Sequence, residues 1–559
     1  MVVSGLGIGP EPPRGGWMRV GMMAAMLSLE AMLLLGPADE VAGAAPAPAA
    51  PDGYESLLTL FADWRAFQQP RFRDGVPDYT AAAMREQQRR LGEMRARLDA
   101  IDTRGWPVAR RIDGELVRAE MNGLDFDHRV LRPWARDPAF YSVVIDSESD
   151  TPLHEGPVMA GAIELWRLSF PLPAAEVAPF RARLQAIPRI LEEARGNLVG
   201  DARDLWRLGI RAQKGQSAAL AGLEETLAKG NPDLIPDAAR ARQAVDVFAS
   251  WLEQQLPGKT GRSGVGVGHY DWYVRNVHLI PFTWQDELTL MQRELARATA
   301  YLKLEESRNR ALPPLDPPAS AAEWQARAER AIDDFLRFAR EKQVFTVPDY
   351  AAPALRARIS PYRPPETRDF FDQVDLRDPR VMRCHQVHWI DKARMQREPH
   401  PSPIRRLPSL YNIWDSRAEG FATAMEELAM GAGLLDDSPR SRELVYIMVA
   451  QRAARGIAGL RVHSNEWSVE QAVRFASENT PRGWFRPDGD LVWFEQHLYL
   501  QQPGYGTSYL TGKALVESLL AERASQQGDA FTLQGFLDEF FARGLVPVSL
   551  IRWELVGRR

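Results

Sequence analysis

The sequence predicts a mainly α-helical protein with little β-structure, and three observations support this fold class. Apolar residues recur at spacings of three, four and seven along most of the chain, which lines one face of a helix. The strict alternation of a half-buried strand is rare. Of the 559 residues, 45% are hydrophobic and 26% are charged, with 16 Trp, a composition typical of a well-packed folded protein.

Individual helices follow from this spacing and from helix-start signals. Between Tyr79 and Ile101, the apolar residues Met84, Leu91 and Met94 fall on one helical face. A second helix is predicted to begin at Ser320, because "SAAE" has the form of a capping box. Further helices are predicted over Ser416 to Met430, Arg442 to Leu460, Ser468 to Ser477, Thr507 to Gln526 and Thr532 to Arg543.

The N-terminal residues have the pattern of an export signal. The apolar run that starts after Met18 is shorter than a membrane span of about 20 residues and contains Glu30. Ala42 and Ala44 then supply the small residues of a signal-peptidase site. We predict a secretory signal at residues 1–44, hence an exported and periplasmic protein. An uncleaved anchor is the alternative.

The remaining chain is predicted to form an Ala/Pro linker at residues 45–53 and a helical body at residues 54–559. Proline-rich breaks near residues 312–318 and 362–366 indicate an N-terminal half at 54–310 and a C-terminal half at 311–559. Cys384 is the only cysteine, so no intramolecular disulfide can form. No cysteine lies near the predicted cleavage site, as a lipoprotein would require.

Charge gives little indication of partners. The net charge of -5, from 69 basic and 74 acidic residues, provides no overall attraction to phosphate backbones or anionic lipid. We predict no nucleic-acid partner and no membrane contact beyond the signal segment. Nothing in the sequence indicates the oligomeric state.

The segment "MRCHQVHWID", residues 382–391, carries the first candidate metal ligands. His385 and His388 are three residues apart, so both lie on one helical face and can converge on one ion. Asp378 and Pro379 form a good helix start, and the helix is predicted to run unbroken to about Arg397. The alternative is that both imidazoles bond only to their neighbours.

Four segments resemble, in order, the bacterial domain-of-unknown-function family numbered 885, which is grouped with the gluzincin zinc peptidases. These are "EGFATAMEE" (419–427), "GLRVHSNEWSVEQA" (459–472), "QQPGYGTSYLTGK" (501–513) and "FARGLVPVSLI" (541–551). Two upstream segments also resemble it, so the likeness covers most of the chain. The resemblance implies a large, helical, zinc-metallopeptidase-like body with a central cleft.

The family's zinc segment, H-E-x-x-P-G-H-H, is altered in this chain. In that register Met382 replaces the first His, Arg383 replaces the Glu general base, and only His388 is retained. Thioether sulfur is a poor zinc ligand, and a guanidinium beside an ion would repel it. We therefore expect that no zinc cofactor is bound through the family's ligand set. Arg383 could instead pair with Glu419 or Glu426 in place of the zinc ion.

The resemblance assigns further roles. Glu419 matches the third metal ligand, with Glu426 on the same helix face, although Ser416 and Glu419 could instead form a capping box. His463 and Tyr509 match groups that stabilise the oxyanion in related zinc peptidases. The pair His154 and Glu155 is predicted to lie at the surface, because no second His follows at ligand spacing.

Two functional hypotheses follow. The first is an exported pseudo-peptidase, a catalytically degenerate protein whose cleft binds a peptide, a small molecule or another partner. The alternative is an active metal-dependent hydrolase with a rearranged site, in which His385, His388 and Glu419 bind zinc. The alternative requires these three side chains to meet at the base of a pocket.

Overall fold

Helices provide nearly all the regular structure in the computed structural model, which describes residues 53–557. The predicted mainly α fold class is confirmed. The predicted signal at residues 1–44 and residues 45–52 of the predicted linker lie outside the described residues. The described residues all belong to one compact unit, and the division of the body at residue 310 stays a prediction. No described helix is both long enough and apolar enough to cross a bilayer.

The helices of the N-terminal part are mostly long, and a long connection that includes residues 146–162 separates the fourth helix from the fifth. Their bounds are Gly53–Phe67 (α1), Ala81–Asp99 (α2), Val108–Phe126 (α3), Pro133–Arg136 (α4), Ala174–Asn197 (α5), Arg203–Leu227 (α6), Ile235–Gln255 (α7), Val267–Asn276 (α8), Trp284–Arg308 (α9) and Ala321–Glu341 (α10).

The C-terminal part begins with short helices and ends with longer buried ones. Their bounds are Ala351–Arg356 (α11), Phe370–Asp375 (α12), Pro379–His385 (α13), Val387–Arg397 (α14), Pro403–Arg406 (α15), Asp415–Gly431 (α16), Ser441–His463 (α17), Val469–Glu478 (α18), Asp490–Gln501 (α19), Tyr505–Gln527 (α20), Leu533–Ala542 (α21) and Val548–Val556 (α22).

The β-strands of the described residues are four segments of two residues each. Phe72–Arg73 (β1) pairs antiparallel with Val76–Pro77 (β2), and Val144–Ile145 (β3) pairs parallel with Ile163–Glu164 (β4). The second pair joins the two ends of residues 146–162, which we call the carboxylate loop. Its ends are therefore fixed next to each other although the segment between them has no regular structure.

Several predicted helices are present at nearly the predicted bounds. The helix predicted between Tyr79 and Ile101 is α2, and its residues Met84, Leu91 and Met94 are buried. Ser320 caps α10 by accepting a hydrogen bond from the Glu323 N–H. Amphipathic spacing and caps were sufficient here, because each helix buries one face and exposes the other.

The helix predicted to run unbroken from Asp378 to Arg397 is interrupted. Asp378 caps α13 as predicted, but α13 ends at His385 and α14 begins at Val387. At Gln386, between them, ψ opens to 10°. Glutamine is a good helix former, so tertiary packing must outweigh local propensity at this point.

A close crossing of α16 and α20 forms the centre of the C-terminal part. A Cβ on Gly420 would lie 2.3 Å from the Gly512 Cα, and a Cβ on Gly512 would lie 2.2 Å from the Ser416 carbonyl oxygen. Only residues without side chains permit this approach. The crossing fixes Glu419, one residue before Gly420, relative to Tyr505 and Tyr509 on α20.

Candidate metal centre

His385 and His388 meet Glu419 in the interior of the protein. The break at Gln386 places the two imidazoles at right angles, with ring centroids 5.0 Å apart and an interplanar angle of 89°. The Nε2 atoms of His388 and His385 lie 3.3 Å and 3.7 Å from Glu419 Oε2. One nitrogen atom of each histidine and one carboxylate oxygen of Glu419 all lie within 4.8 Å of one another. We call these residues the His–Glu triad.

Glu419 is free to face the histidines because α16 starts earlier than predicted. The capping box expected at Ser416 is not formed, since the helix begins at Asp415 and Ser416 lies inside its first turn. The Ser416 hydroxyl instead accepts from the Val548 N–H at 3.5 Å. The Glu419 side chain is therefore turned into the interior, where it is 2% exposed.

The spacing of the triad fits a transition-metal ion. Two ligand atoms at about 2.0 to 2.2 Å from one ion, at a tetrahedral angle, lie about 3.3 to 3.6 Å apart. The His388–Glu419 separation falls in this range, and the His385–Glu419 separation exceeds it by a small margin. His388 Nε2 and Glu419 Oε2 are buried, and within residues 53–557 neither has a hydrogen-bond partner apart from the other. Donor type, spacing and the small number of partners all fit a bound dication.

Electrostatics couples the same atoms. Burial alone would lower the pKa of His388, but the Glu419 charge and hydrogen bonding raise it to about 9. Burial raises the pKa of Glu419, yet the positive charge of His388 outweighs burial and holds that pKa below its usual value. Opposite charges therefore attract across the gap between the two side chains.

The Glu426 carboxylate and the Arg452 guanidinium orient His385 by contacting its Nδ1 atom. Its Nδ1 lies 3.2 Å from Glu426 Oε1 and 3.2 Å from Arg452 Nη2. Arg452 binds both Glu426 oxygens at 2.7 Å, and both side chains are fully buried. If Nδ1–H donates to Glu426, the Nε2 lone pair is left to face Glu419, the arrangement in which carboxylates orient metal-bound histidines.

Arg383 does not take the place that the sequence indicated. Its Nη2 donates to both oxygens of Asp375, at 2.7 and 2.9 Å, and the guanidinium is fully buried. The predicted ion pair with Glu419 or Glu426 is wrong, because Asp375 binds Arg383 and Arg452 binds Glu426. Met382 is also buried in the hydrophobic core.

The carboxylate loop brings two more acidic groups to Glu419. Oxygens of Asp150, Glu155 and Glu419 lie within 4.8 Å of one another. The Tyr505 hydroxyl contacts Glu155 and also lies 3.0 Å from Glu419 Oε1. The prediction of a surface position is correct for His154, which is exposed, and wrong for Glu155, which turns inward because Tyr505 holds it there.

Asp415 completes the acidic part of the site. It lies one turn before Glu419 on α16, is 0% exposed, and neither carboxylate oxygen has a hydrogen-bond partner in the described chain. Burial and the charges of Glu419 and Glu155 raise its pKa well above the usual value. Burial, followed by the charges of Asp150 and Glu419, does the same to the pKa of Glu155. Asp150, Glu155 and Asp415 form what we call the acidic side.

The two residues predicted to stabilise an oxyanion differ in position. Tyr509 lies beside the triad, with its ring 6.4 Å from that of His385 and nearly parallel to it, and with the Arg455 guanidinium 4.3 Å above it. His463 Nε2 lies 2.8 Å from the Tyr499 carbonyl oxygen, and burial lowers its pKa to about 4. Its hydrogen bond is therefore to the backbone, and its role in an oxyanion site stays a prediction.

A cleft of about 550 Å³ adjoins the site. Its lining includes His154 and Gly156, on either side of Glu155, together with Asn412, Gln501 and Gln502. It includes no member of the His–Glu triad. The carboxylate loop therefore forms the wall between this cleft and the buried cluster.

Residues 388–555 match a protein family described as "Bacterial protein of unknown function (DUF885)". The matched segment contains His388, Glu419, Glu426, His463 and Tyr509, and it begins after Met382 and Arg383. The resemblance found in the sequence is thus supported over this C-terminal segment. The assignment to the gluzincins and the altered zinc motif stay predictions.

Two solved structures share the fold. One is a candidate lipoprotein of unknown function from Shewanella oneidensis, with a TM-score of 0.68, 15% identity, and coverage of 91% of this chain and 100% of the other. The second, a candidate lipoprotein from Colwellia psychrerythraea, has a TM-score of 0.64, 15% identity, and coverage of 91% and 99%. Among curated proteins, no sequence matches the chain.

Sequence reasoning missed several side chains of the site, although signals for some of them exist. Asp415 is four residues before Glu419, so both fall on one helix face. Arg452 and Arg455 are three residues apart in the middle of a helix that is almost entirely buried, which indicates buried acidic partners. Asp150 has no such signal, because the loop fold alone brings it to the site.

Proposed function

We propose that this protein is an exported, metal-dependent hydrolase. The observation that carries the proposal is the convergence of His385 Nε2, His388 Nε2 and Glu419 Oε2. Three protein ligands from two histidines and one carboxylate, with room for a further ligand, are typical of catalytic zinc sites. A bound zinc ion would supply a Lewis acid and an activated water for attack on a carbonyl or similar centre.

The chain's own residues would hold and orient the reacting groups. Glu426 and Arg452 fix the His385 ring, and the α16–α20 crossing fixes Glu419 against Tyr505. Tyr509 is a neutral hydrogen-bond donor beside the triad, and Arg455 adds a positive charge over its ring. Both suit stabilisation of negative charge that develops on a substrate oxygen.

The acidic side would supply the proton acceptor. Hydrolysis requires a carboxylate that takes a proton from the attacking water, and Arg383 cannot do this. Glu155 and Asp415 are the candidates, because burial and neighbouring negative charges raise the pKa of both side chains well above the usual value, which makes each a stronger proton acceptor than an ordinary carboxylate. The lost carboxylate of the family motif is thus compensated from a different part of the chain.

We expect the substrate to enter through the cleft beside the carboxylate loop. His154 and Gly156 line this cleft, whereas Glu155, between them, faces the cluster. A cleft of about 550 Å³ suits a short peptide or another small molecule. The export assignment rests on the predicted signal and on the description of both structural neighbours as candidate lipoproteins.

A catalytically silent cleft protein receives less support. That hypothesis depended on a guanidinium in the position of the general base, close to the metal. Arg383 is instead bound to Asp375, so the triad has no adjacent cation from residue 383. The argument from Arg383 against a bound dication is therefore removed.

The test is metal content together with hydrolysis. We expect purified full-length protein to bind zinc and to cleave model peptide or ester substrates, and we expect His388→Ala to lose both. His269→Ala is the matched control, because His269 is exposed and lies outside the cluster. A protein that takes up no divalent metal, or that keeps full metal content in His388→Ala, would refute the proposal.

A further inference from the structure

We propose that a second divalent cation binds on the acidic side, held by Asp150, Glu155 and Glu419 and closed off by Asp415. The inference rests on the proposed function, since Glu419 belongs to both positions. It assigns the site a pair of cations in place of the single zinc of the sequence resemblance.

The positions of the oxygens support two ions that share Glu419. Its Oε2 faces the two histidines, whereas its Oε1 lies on the side of Tyr505, whose hydroxyl also contacts Glu155. A carboxylate can bridge two ions through its two oxygens. In known two-metal sites the ions are about 3.5 to 4 Å apart, which a bridging carboxylate spans.

Charge balance favours more than one dication. Arg452 is paired with Glu426, and Arg455 is paired with Glu495. Lys392, the cation near the loop, is paired with Glu148 at 2.7 Å. Asp150, Glu155, Asp415 and Glu419 are then four carboxyl groups beside two imidazoles. Two dications with neutral histidine ligands would balance all four groups in their ionised form, whereas with one dication two of the groups would have to keep a proton or stay charged without a partner.

Asp415 provides the independent observation. A buried carboxylate normally has hydrogen-bond donors, and Glu287 in this protein has three, from Tyr270, Thr507 and Thr511. Asp415 is equally buried, yet neither of its oxygens has a partner in the described chain. Its nearest charges are Glu419 and Glu155, which repel it. A cation beside these three carboxylates would satisfy all of them.

The chemistry of the donors indicates the kind of ion. The first position offers two imidazole nitrogens and one oxygen, which suits zinc. The second offers carboxylate oxygens only, which suits a hard cation such as Mn²⁺, Mg²⁺ or Ca²⁺. A substrate ammonium group fits the second position less well than a metal ion, because these carboxylates do not line the adjoining cleft.

The loop is built to hold the second position rigidly. β3 and β4 join its two ends, Glu148 pairs with Lys392 and Arg358, and the Lys392 Nζ also donates to the Ser149 carbonyl oxygen. Asp150 therefore lies one residue beyond a clamped backbone. Such support from surrounding residues is what a preorganised metal site requires.

The experiment counts ions in the full-length protein. Chelator-treated protein would be loaded with Mn²⁺, alone or with one equivalent of Zn²⁺, desalted and analysed for metal content. We expect two ions per chain for the wild type and one for Asp150→Asn/Glu155→Gln. Asp146→Asn, an exposed carboxylate on the same loop, is the matched control and should keep two.

Spectroscopy tests whether the two ions share a ligand. With Mn²⁺ in both positions, we expect an electron paramagnetic resonance spectrum of a spin-coupled pair, and an isolated-ion spectrum in Asp150→Asn/Glu155→Gln. Thermal unfolding without metal checks that the variants fold. Asp150→Asn/Glu155→Gln should have a higher melting temperature than the wild type in the absence of metal, because the double substitution removes repulsion between carboxylates.

The outcomes separate the two proposals. One ion per chain in the wild type, retained in Asp150→Asn/Glu155→Gln and lost in His388→Ala, overturns the second site and leaves the hydrolase proposal intact. No bound ion overturns both. Two ions that persist in Asp150→Asn/Glu155→Gln, or two ions without spin coupling, overturn the assignment to these carboxylates.

Discussion

Glu419 Oε2 lies 3.3 Å from His388 Nε2, and within residues 53–557 neither atom has a hydrogen-bond partner apart from the other. Buried polar atoms with so few partners cost stability, and in the absence of metal only the attraction between the two side chains offsets this cost. A dication between them would bind both atoms and take the place of the His388 proton.

Glu426→Gln should weaken both the fold and metal binding. The substitution leaves the Arg452 guanidinium buried without its carboxylate, which costs about 3 to 5 kcal/mol in the free energy of unfolding. It also removes the group that orients His385, and such losses lower metal affinity about 10 to 100-fold. Urea unfolding and competitive zinc titration measure the two effects.

Glu426→Gln/Arg452→Met is the control for that variant. Removing both charges should recover much of the lost stability, while the zinc affinity stays low because His385 still lacks its acceptor. Equal zinc affinity in the wild type and both variants would contradict the orienting role.

Glu287 should make stability depend on pH. Burial outweighs its three hydroxyl donors and raises its pKa to about 7. The folded protein therefore keeps this proton while the unfolded chain, with a pKa of 4.5, loses it, so the free energy of unfolding falls as pH rises from 4.5 to about 7. Above pH 7 the ionised Glu287 lowers the free energy of unfolding by on the order of 3 kcal/mol.

Glu287→Gln should remove this dependence. We expect the variant to gain stability over the wild type between pH 5 and pH 8, measured by urea unfolding at both values. An identical change with pH in the two proteins would show that Glu287 ionises normally.

Gly420→Ala should destabilise the crossing of α16 and α20. The new Cβ would lie 2.3 Å from the Gly512 Cα, so the helices must separate, at a cost of about 3 kcal/mol. Gly431→Ala is the matched control at the end of the same helix, because a Cβ there meets nothing within 4 Å. Thermal unfolding should show a large decrease for the first variant and little change for the second.

Glu148→Gln should loosen the carboxylate loop. It removes the ion pairs with Lys392 and Arg358 that hold the loop against the helical body. We expect faster cleavage within residues 146–162 by a nonspecific protease, with the melting temperature nearly unchanged. Asp146→Asn should be cleaved at the wild-type rate, and cleavage elsewhere in the chain would contradict the clamping role.

The sequence predicted the helical class, several helix bounds and the three members of the His–Glu triad. Spacing is sufficient for these features, because positions on one helix face follow from helical geometry. It did not predict the interruption at Gln386, where no helix breaker occurs in the sequence. It also left open a capping box at Ser416, which does not form because α16 begins at Asp415.

Groups that reach the site from distant parts of the chain could not be predicted in the same way. Glu155 stands beside His154 in the sequence, but its partners Glu419 and Tyr505 are more than 250 residues away. Arg383 lies in the segment compared with the family motif, whereas its partner Asp375 belongs to no motif. Pairings of this kind depend on the tertiary fold, and the order of short motifs along the chain does not indicate which distant residues meet.

The ion pair between Arg383 and Asp375 limits which residues position 383 can accept. A glutamate there would set two carboxylates against each other in the interior, with no solvent to separate them. Such a substitution would therefore need a second change at Asp375. The two positions are coupled, so the charge of neither can change alone without a loss of stability.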